Sequence, residues 1–356
     1  MAFRASRRKT SAGLDVGSGF VKVVVVDHAG DLPEVVGVSV RPVPEGAIVD
    51  GEVVDREPVA DTVRGAMHEV GAKSRDVVAA LGGHDVFVKR VGMPRMKESD
   101  ARSAVPVEAK RHVPFDLAGV HLDFEILPRP PRADCTGLEG GPADPDEEMD
   151  VLITAAKQDR IEEKVALLAS AGVRPAVMDV EAFALYNALA HNHPNATEGV
   201  AALIDIGHST TNIGVLEDGV LALSKNLPLG SRTVAESLQL ECGLSTLEAE
   251  SVLQGRRRIP GAHGVVTEGV ATGIKRASAY LTGRESGHGI GRIFLSGGGA
   301  CIPGLARALA ESVRIETRRV NPFERCTLHG DAASNPILDR AAPMLLLPVG
   351  LALRAV

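Results

Sequence analysis

The chain has 356 residues, which is more than one simple core needs and enough for two domains with an insertion. Its formal net charge of −7 argues against broad binding to nucleic acid or to an anionic lipid surface. Cys135, Cys242, Cys301 and Cys326 lie far apart without a CxxC pair, so the sequence indicates neither a disulfide framework nor a zinc site. No apolar stretch reaches the roughly 20 residues of a membrane-spanning helix, and we expect a cytosolic protein without direct membrane insertion.

An internal repeat is the main organisational feature of the sequence. Residues 13–25 read GLDVGSGFVKVVV, and residues 203–215 read LIDIGHSTTNIGV. Each segment combines an apolar strand, an Asp-apolar-Gly step, a small polar turn and a second apolar strand. Gly17 and Gly207 give these turns the backbone freedom that a phosphate-holding loop requires. The repeat predicts two similar lobes, each opened by a β-hairpin.

The segments after the first hairpin show both strand and helix patterns. A strand is predicted near Glu34–Val43, a helix near Pro58–Val70 and a further strand at Val77–Leu81. Hairpins followed by helices predict a mixed sheet whose faces are covered.

An insertion, roughly 85–175, follows this first sheet. Its segment Pro128–Asp150 is rich in Pro, Gly and acidic residues, which predicts a solvated loop between two strands. A helix is predicted at Ile161–Ala171, and Gly172 is a residue type that suits the end of a helix.

Two later segments carry candidate site residues. A helix is predicted at Val180–Ala190 with Glu181 in its first turn, where an acidic side chain also favours the helix dipole. Residues 292–300 read RIFLSGGGA, a strand that runs into three glycines and then into a helix at Leu305–Ser312. The glycines permit close approach of the backbone to a ligand, although they do not match the G-x-G-x-x-G pattern.

In this order the two turns, the connecting helix and the glycine triplet resemble the signatures of the actin, heat-shock chaperone and sugar-kinase superfamily. The resemblance implies an α/β fold of duplicated actin-like (ribonuclease H-like) lobes with mixed sheets, which hold ATP and Mg²⁺ between them. It implies that Asp15 and Asp205 ligate Mg²⁺ largely through water, with Glu181 and Asp205 as catalytic residues. The nucleotide-binding residues that it implies are Asp15, Gly17, Ser18, Gly19, Asp205, Gly207, Ser209, Thr210, Thr211, Gly230, Arg276, Gly297, Gly298 and Gly299.

Two charged or titratable residues beside the turns have ordinary interpretations. For Lys22 the sequence favours a structural role beside its strand over phosphate binding. For His208 it favours a surface position over contact with phosphate.

The insertion and the C-terminal segment contain residues 86–96 (VFVKRVGMPRM), 113–116 (VPFD), 151–156 (VLITAA) and 348–354 (PVGLALR). This pattern resembles the PilM family of type IV pilus assembly proteins. It implies a small α/β subdomain inserted in the first lobe. The domains expected are the first-lobe core at 1–84, completed by about 176–198 and 340–356, the inserted subdomain at 85–175, and the second lobe at 199–339.

Membership of this family implies an ATP-binding component of the inner-membrane pilus platform. Such a protein binds the cytoplasmic N-terminal segment of PilN, a bitopic inner-membrane protein, and serves beside other platform and motor proteins. Strand-edge recognition of an extended segment supplies main-chain hydrogen bonds and side-chain pockets. The groove residues expected here are Val86, Phe87, Val88, Arg90, Met93, Val113 and Phe115.

Two positions depart from the usual nucleotide-contacting pattern. Leu253 stands where this group usually has Lys, and Gly273 stands where it usually has Glu. Each lost polar contact removes ~1 kcal/mol, so nucleotide affinity is expected to fall by about tenfold or more. We therefore expect ATP binding with weak or absent ATPase activity.

Three other functions share this superfamily fold. An FtsA-like division scaffold ends in a basic amphipathic helix, whereas this sequence ends at Arg354-Ala355-Val356. A GspL-like secretion scaffold continues into a membrane span. A small-metabolite kinase, the alternative from the enzyme class, needs a catalytic carboxylate in a substrate cleft, and ATP turnover stimulated by one sugar would favour it.

Overall fold

The structure is a computed structural model that describes residues 10–49, 51–72, 74–127, 148–282 and 289–354. The chain divides into two compact units. Met1–Gly83 and Glu163–Val356 form the larger unit, and His84–Glu162 form the smaller unit.

The larger unit begins with the first lobe. Its elements up to residue 83 are β1 (Thr10–Val16), β2 (Phe20–Asp27), β3 (Glu34–Pro42), the short strands β4 (Ile48–Val49) and β5 (Glu52–Val53), α1 (Arg56–Glu69) and β6 (Asp76–Leu81). Strands β3 and β6 confirm the strands predicted near Glu34–Val43 and at Val77–Leu81, and α1 confirms the helix predicted near Pro58–Val70. The predicted and observed ends agree to within two residues.

The smaller unit is a three-stranded antiparallel sheet with one helix. Its elements are β7 (Val86–Pro94), α2 (Glu98–Ala109), β8 (Val120–Ile126) and β9 (Glu148–Lys157). Strand β9 lies between β7 and β8. Most of the loop predicted at Pro128–Asp150, together with Cys135, lies outside the described residues.

Helix α3 (Gln158–Ser170) carries the chain from the smaller unit back to the larger one. Gly172 follows it with a φ of +75°, the left-handed conformation predicted for the end of this helix. Leu167 and Leu168 of α3 pack in the core of the first lobe. The expected inserted subdomain, 85–175, is therefore longer than the smaller unit, because most of α3 belongs to the first lobe.

The remaining elements complete the first lobe and build the second. They are β10 (Arg174–Val180), α4 (Glu181–Asn192), β11 (Val200–Ile206), β12 (Thr211–Glu217), β13 (Val220–Leu227), α5 (Ser231–Cys242), α6 (Thr246–Leu253), α7 (Gly264–Thr282), β14 (Arg292–Ser296), α8 (Leu305–Val313), β15 (Glu316–Arg319), β16 (Thr327–Leu328), α9 (Gly330–Ala333), α10 (Pro336–Ala341) and α11 (Leu346–Leu353).

The two lobes have the same sheet plan. The first runs β10-β6-β1-β2-β3, with β16 beyond β3, and the second runs β15-β14-β11-β12-β13. The β1–β2 and β11–β12 hairpins have the same register, with Asp15 opposite Lys22 and Asp205 opposite Asn212. Strands β6 and β14 then pair in parallel with β1 and β11. The duplicated mixed-sheet fold predicted from the sequence is confirmed.

Helix α11 packs its backbone directly against β1 and α4. A Cβ atom on Gly13 would lie 2.0 Å from the Pro348 carbonyl oxygen, and one on Gly350 would lie 1.9 Å from the Ala184 carbonyl oxygen. Residues 346–352 of α11 are all buried. Across the described part of the chain, no helix is long and apolar enough to span a membrane.

We predict that Gly350→Ala destabilises the larger unit by about 3 kcal/mol, because the new methyl group has to push two helix backbones apart. The free energy of unfolding in guanidinium measures this. Gly264→Ala is the control, since a Cβ atom there meets nothing within 4 Å at the start of α7. Equal stability of the two variants would contradict the close α11–α4 packing.

Candidate functional site

The turns of the two hairpins meet. The Ser18 hydroxyl donates a hydrogen bond to the Ser209 hydroxyl at 3.0 Å. A Cβ atom on Gly19 would lie 2.7 Å from Cγ of His208, so only glycine allows the turns to approach this closely. His208 is consequently half-buried rather than on the surface, and burial followed by the charge of Arg232 lowers its pKa.

The remaining predicted residues of the turns shape the backbone. Gly17 donates to the Phe20 carbonyl oxygen at 3.1 Å, and Gly207 donates to the Thr210 carbonyl oxygen at 2.9 Å, which closes both turns. A Cβ atom on Gly230 would lie 2.4 Å from the His208 carbonyl oxygen.

Thr211 does not reach the turn surface. It is fully buried, and its hydroxyl donates to the Leu229 carbonyl oxygen at 2.8 Å. Its hydroxyl therefore anchors the loop after β13.

Asp15 and Asp205 occupy equivalent places, one residue before the ends of β1 and β11. Asp15 is 7% exposed and forms an ion pair with Lys22. Burial lowers the pKa of Lys22, but attraction to Asp15 outweighs it and the pKa is raised. Lys22 therefore forms an ion pair with Asp15, which is itself a predicted metal ligand.

Asp205 has a different partner. Its Oδ1 accepts a hydrogen bond from the Ser296 hydroxyl at 2.8 Å. Burial raises the pKa of Asp205, although Lys22 and Ser296 oppose this. Asp205 is therefore held by a neutral donor, whereas Asp15 is held by a cation.

Glu181 is the first residue of α4 and lies against the end of β6. A Cβ atom on Gly82 would lie 1.8 Å from Oε2 of Glu181, so the missing side chain at residue 82 leaves the space that this carboxylate occupies. Burial and then the charge of Asp15 raise the pKa of Glu181 to about 7, against the opposing charges of Lys164 and Lys22.

Sequence reasoning missed Lys164, Gly82 and Ser296 as residues of this site. Lys164 Nζ donates to the Val16 carbonyl oxygen at 3.2 Å, and burial lowers its pKa. A signal was present, because Lys164 precedes Leu167 and Leu168 by three and four residues on α3, which places it on the buried face.

The glycine triplet serves mainly the packing of the second lobe. A Cβ atom on Gly297 would lie 2.3 Å from the Ile206 carbonyl oxygen, and one on Gly299 would lie 2.2 Å from Cγ2 of Ile206. At Gly298 a Cβ atom meets nothing within 4 Å. Of the three predicted nucleotide-contacting glycines, Gly298 alone has open space on that side.

The two departures from the usual pattern lie in apolar surroundings. Leu253 packs against the core of the second lobe. A Cβ atom on Gly273 would lie 2.6 Å from Cδ1 of Ile213, so this face of α7 rests on the sheet. Arg276, three residues later, is exposed.

No cluster of three or more metal-ligating side chains occurs within the described ranges. Asp15, Asp205 and Glu181 lie around one cleft beside the hairpin turns, where the charge of Asp15 raises the pKa of both Asp205 and Glu181. This donor set suits a cation that keeps its water and takes other ligands from phosphate.

The seven predicted groove residues all lie in the smaller unit. Val88, Met93 and Val113 are buried. Phe87 and Phe115 pack partly exposed against the core of this unit. Only the partly exposed members are therefore accessible to a partner.

A cleft of about 520 Å³ opens beside Phe115. Lys157 Nζ lies 5.0 Å from the centroid of the Phe115 ring and donates to Asp85 at 2.9 Å. Arg90 of β7 pairs with Asp150 of β9 at 2.5 Å. The cleft is lined by Phe115, Asp116, Gly119, Val120, Lys157, Gln158, Asp159 and Glu162.

The raised pKa of Glu181 predicts a pH-dependent stability difference between the wild type and Glu181→Gln. Between pH ~4.5 and ~7 the unfolded chain releases this proton while the folded chain retains it, so wild-type stability falls as pH rises. As the pH rises from 4.5 to 8, the free energy of unfolding of Glu181→Gln should therefore increase by about 3 kcal/mol relative to that of wild type. Unfolding free energies across that range measure it.

Glu198→Gln, which removes an exposed carboxylate of the same unit, is the control for that experiment. A difference between Glu181→Gln and wild type that does not change with pH would contradict a buried Glu181 carboxylate.

Comparison with known proteins identifies the family. A family model described as type IV pilus assembly protein PilM matches residues 13–356. A chain of the solved PilM–PilN type IV pilus biogenesis complex is 26% identical to this chain, with a TM-score of 0.83. The match covers 98% of this chain and 99% of that chain. Ethanolamine utilization protein EutJ from Carboxydothermus hydrogenoformans, 17% identical with a TM-score of 0.54 over 98% and 91%, shares the fold.

The cell division protein FtsA of Bacillus subtilis (strain 168) is 25% identical over 253 residues, which is 67% of this chain. The chain spans 56% of the length of that relative. The duplicated lobes are those of the actin-like ATPase fold, and the family match separates this chain from the FtsA-like, GspL-like and kinase alternatives. The chain belongs to the PilM family of type IV pilus assembly proteins.

Proposed function

We propose that this chain is the actin-like, ATP-binding component of a type IV pilus assembly platform and binds the N-terminal segment of a PilN-like membrane protein. The observation that supports this best is the 26% identity to a chain of the PilM–PilN complex over 98% of the sequence. The protein would lie on the cytoplasmic face of the inner membrane, associated through this partner and other platform and motor proteins.

The cleft between the hairpin turns is the proposed ATP site. Ser18 and Gly19 of one turn and Ser209 and Thr210 of the other would contact the phosphates, after the Ser18–Ser209 hydrogen bond opens. The exposed Arg276 and the open side of Gly298 would contact the nucleoside.

Mg²⁺ would be held between Asp15 and Asp205, largely through water, and would neutralise phosphate charge. The fit is electrostatic, because among the described residues of the cleft three carboxylates face two lysines. A bound divalent cation would reverse the sign of that balance and so favour an anionic ligand.

Glu181 would orient a water molecule towards the terminal phosphate. In the described residues its carboxylate has no hydrogen-bond donor that fixes its direction. A carboxylate without a fixed direction orients water poorly, so we propose a nucleotide-dependent scaffold rather than a rapid ATPase.

The smaller unit is the proposed peptide site. Phe87 and Phe115 present aromatic surface that remains partly exposed, and an aromatic side chain beside a cleft is a common anchor for a bound segment. The acidic lining residues Asp116, Asp159 and Glu162 favour a segment that carries basic side chains.

We predict that Asp205→Asn weakens Mg-ATP binding by about tenfold or more in isothermal titration, because the metal-bound waters lose a charged acceptor. Asparagine should fold normally, since burial already disfavours the ionised carboxylate. Asp218→Asn, at the exposed β12–β13 turn, makes the same change away from the cleft.

The magnesium assignment gives that titration a second test. Removing Mg²⁺ with a chelator should reduce wild-type affinity more than Asp205→Asn affinity. Tight Mg-ATP binding by folded Asp205→Asn would refute the role of Asp205.

We predict that Phe115→Ala weakens binding of a synthetic PilN N-terminal peptide by about tenfold or more, since it removes an aromatic anchor. Fluorescence anisotropy of a labelled peptide measures this. Phe124→Ala is the matched control, because Phe124 packs partly buried against the same core from β8. Equal losses in both variants would indicate a stability effect, and wild-type protein that fails to bind the peptide would refute the partner assignment.

A further inference from the structure

Lys164 is a charged residue of the cleft to which the proposed function gives no role. It lies on α3, and its Nζ donates to the carbonyl oxygen of Val16, the last residue of β1 before the first turn. Leu167 and Leu168, one turn further along, are fully packed in the first-lobe core and hold this face of the helix inward. The side chain is therefore fixed towards the site.

The hydrogen bonds of Lys164 are incomplete. In the part of the chain that the structure describes, the Val16 carbonyl oxygen is its single hydrogen-bond acceptor, and no carboxylate lies within 4.0 Å of its Nζ. An ammonium group has three donors, and a half-buried one such as Lys164 loses part of the water that would otherwise satisfy them. Two donors of Lys164 thus remain for another acceptor at the cleft.

The other cation of the cleft is already engaged. Lys22 is paired with Asp15, whereas Glu181 influences Lys164 through its charge without forming an ion pair with it. Among the described residues of the cleft, Lys164 is consequently the cation with donors available to an anionic ligand. Its neighbour Glu181 is the residue proposed to orient water at the terminal phosphate, so the free donors of Lys164 would lie near that phosphate.

We infer that Lys164 is a ligand of the terminal phosphate of the bound nucleotide, an inference that rests on the proposed ATP binding. A charged N–H···O⁻ hydrogen bond to phosphate is about twice as strong as a neutral one. Lys164 would therefore favour binding of a nucleoside triphosphate over a diphosphate. Its helix, α3, is the segment through which the chain returns from the smaller unit to the larger one.

The test is isothermal titration of wild type, Lys164→Met and Lys97→Met with Mg-ATP and with Mg-ADP. Lys164→Met should lose about tenfold or more in Mg-ATP affinity while its Mg-ADP affinity stays within about twofold of wild type. Lys97→Met, an exposed lysine, removes the same charge and should change neither. Equal losses for both nucleotides, or no loss, would overturn the inference.

The wild-type titration separates this inference from the function on which it rests. Wild type that binds neither nucleotide refutes the proposed ATP site and the role of Lys164 together. Wild type that binds both, with unchanged discrimination in Lys164→Met, refutes only the role of Lys164.

A labelling experiment covers the case in which Lys164→Met does not fold. An acyl phosphate of ATP, which transfers its acyl group to the lysine nearest the terminal phosphate, is reacted with the wild-type protein. Peptide mass spectrometry should find the label on Lys164, suppressed by excess Mg-ATP. Label on Lys22 without label on Lys164 would contradict the assignment.

Discussion

The placement of three carboxylates and two ammonium groups beside two meeting hairpin turns, where Asp15 is buried and the others are half-buried, is the constraint on which the rest of the structure depends. Asp15, Asp205 and Glu181 come from three different elements, and each would be costly to bury alone. Lys22 and Lys164 reduce that cost because their charges oppose those of the acids. The sheets, α3 and α4 must therefore hold their positions together, since displacing one element leaves a buried charge uncompensated.

Close backbone packing makes this meeting point possible. The turns touch because Gly19 has no side chain to separate them, and Gly82 leaves room for the Glu181 carboxylate. Gly297 and Gly299 let the loop after β14 lie on Ile206, next to Asp205. The glycines near the site thus act first through packing, and they place the charged groups that a ligand would meet.

The repeat predicted most of the fold, because Asp15 and Asp205 sit at the same register of two hairpins and register fixes the sheet plan. The contacts of individual residues were harder to predict. Gly273 faces the sheet, and its neighbours across the helix–sheet contact come from distant sequence. Lys164 was missed although its spacing to Leu167 and Leu168 places it on the buried face of α3, because its partner Val16 comes from distant sequence.

Duplication preserved the backbone of the two lobes but not their charge. Lys22 of the first lobe corresponds to Asn212 of the second, which donates to Ser224 and Asn226 instead of pairing with an acid. Asp15 is therefore neutralised within its own hairpin, whereas Asp205 receives only a hydroxyl hydrogen bond. Under the proposed function, an incoming cation would meet an ion-paired carboxylate from the first lobe and a hydroxyl-bonded carboxylate from the second, so the two hairpins would contribute unequally to metal binding.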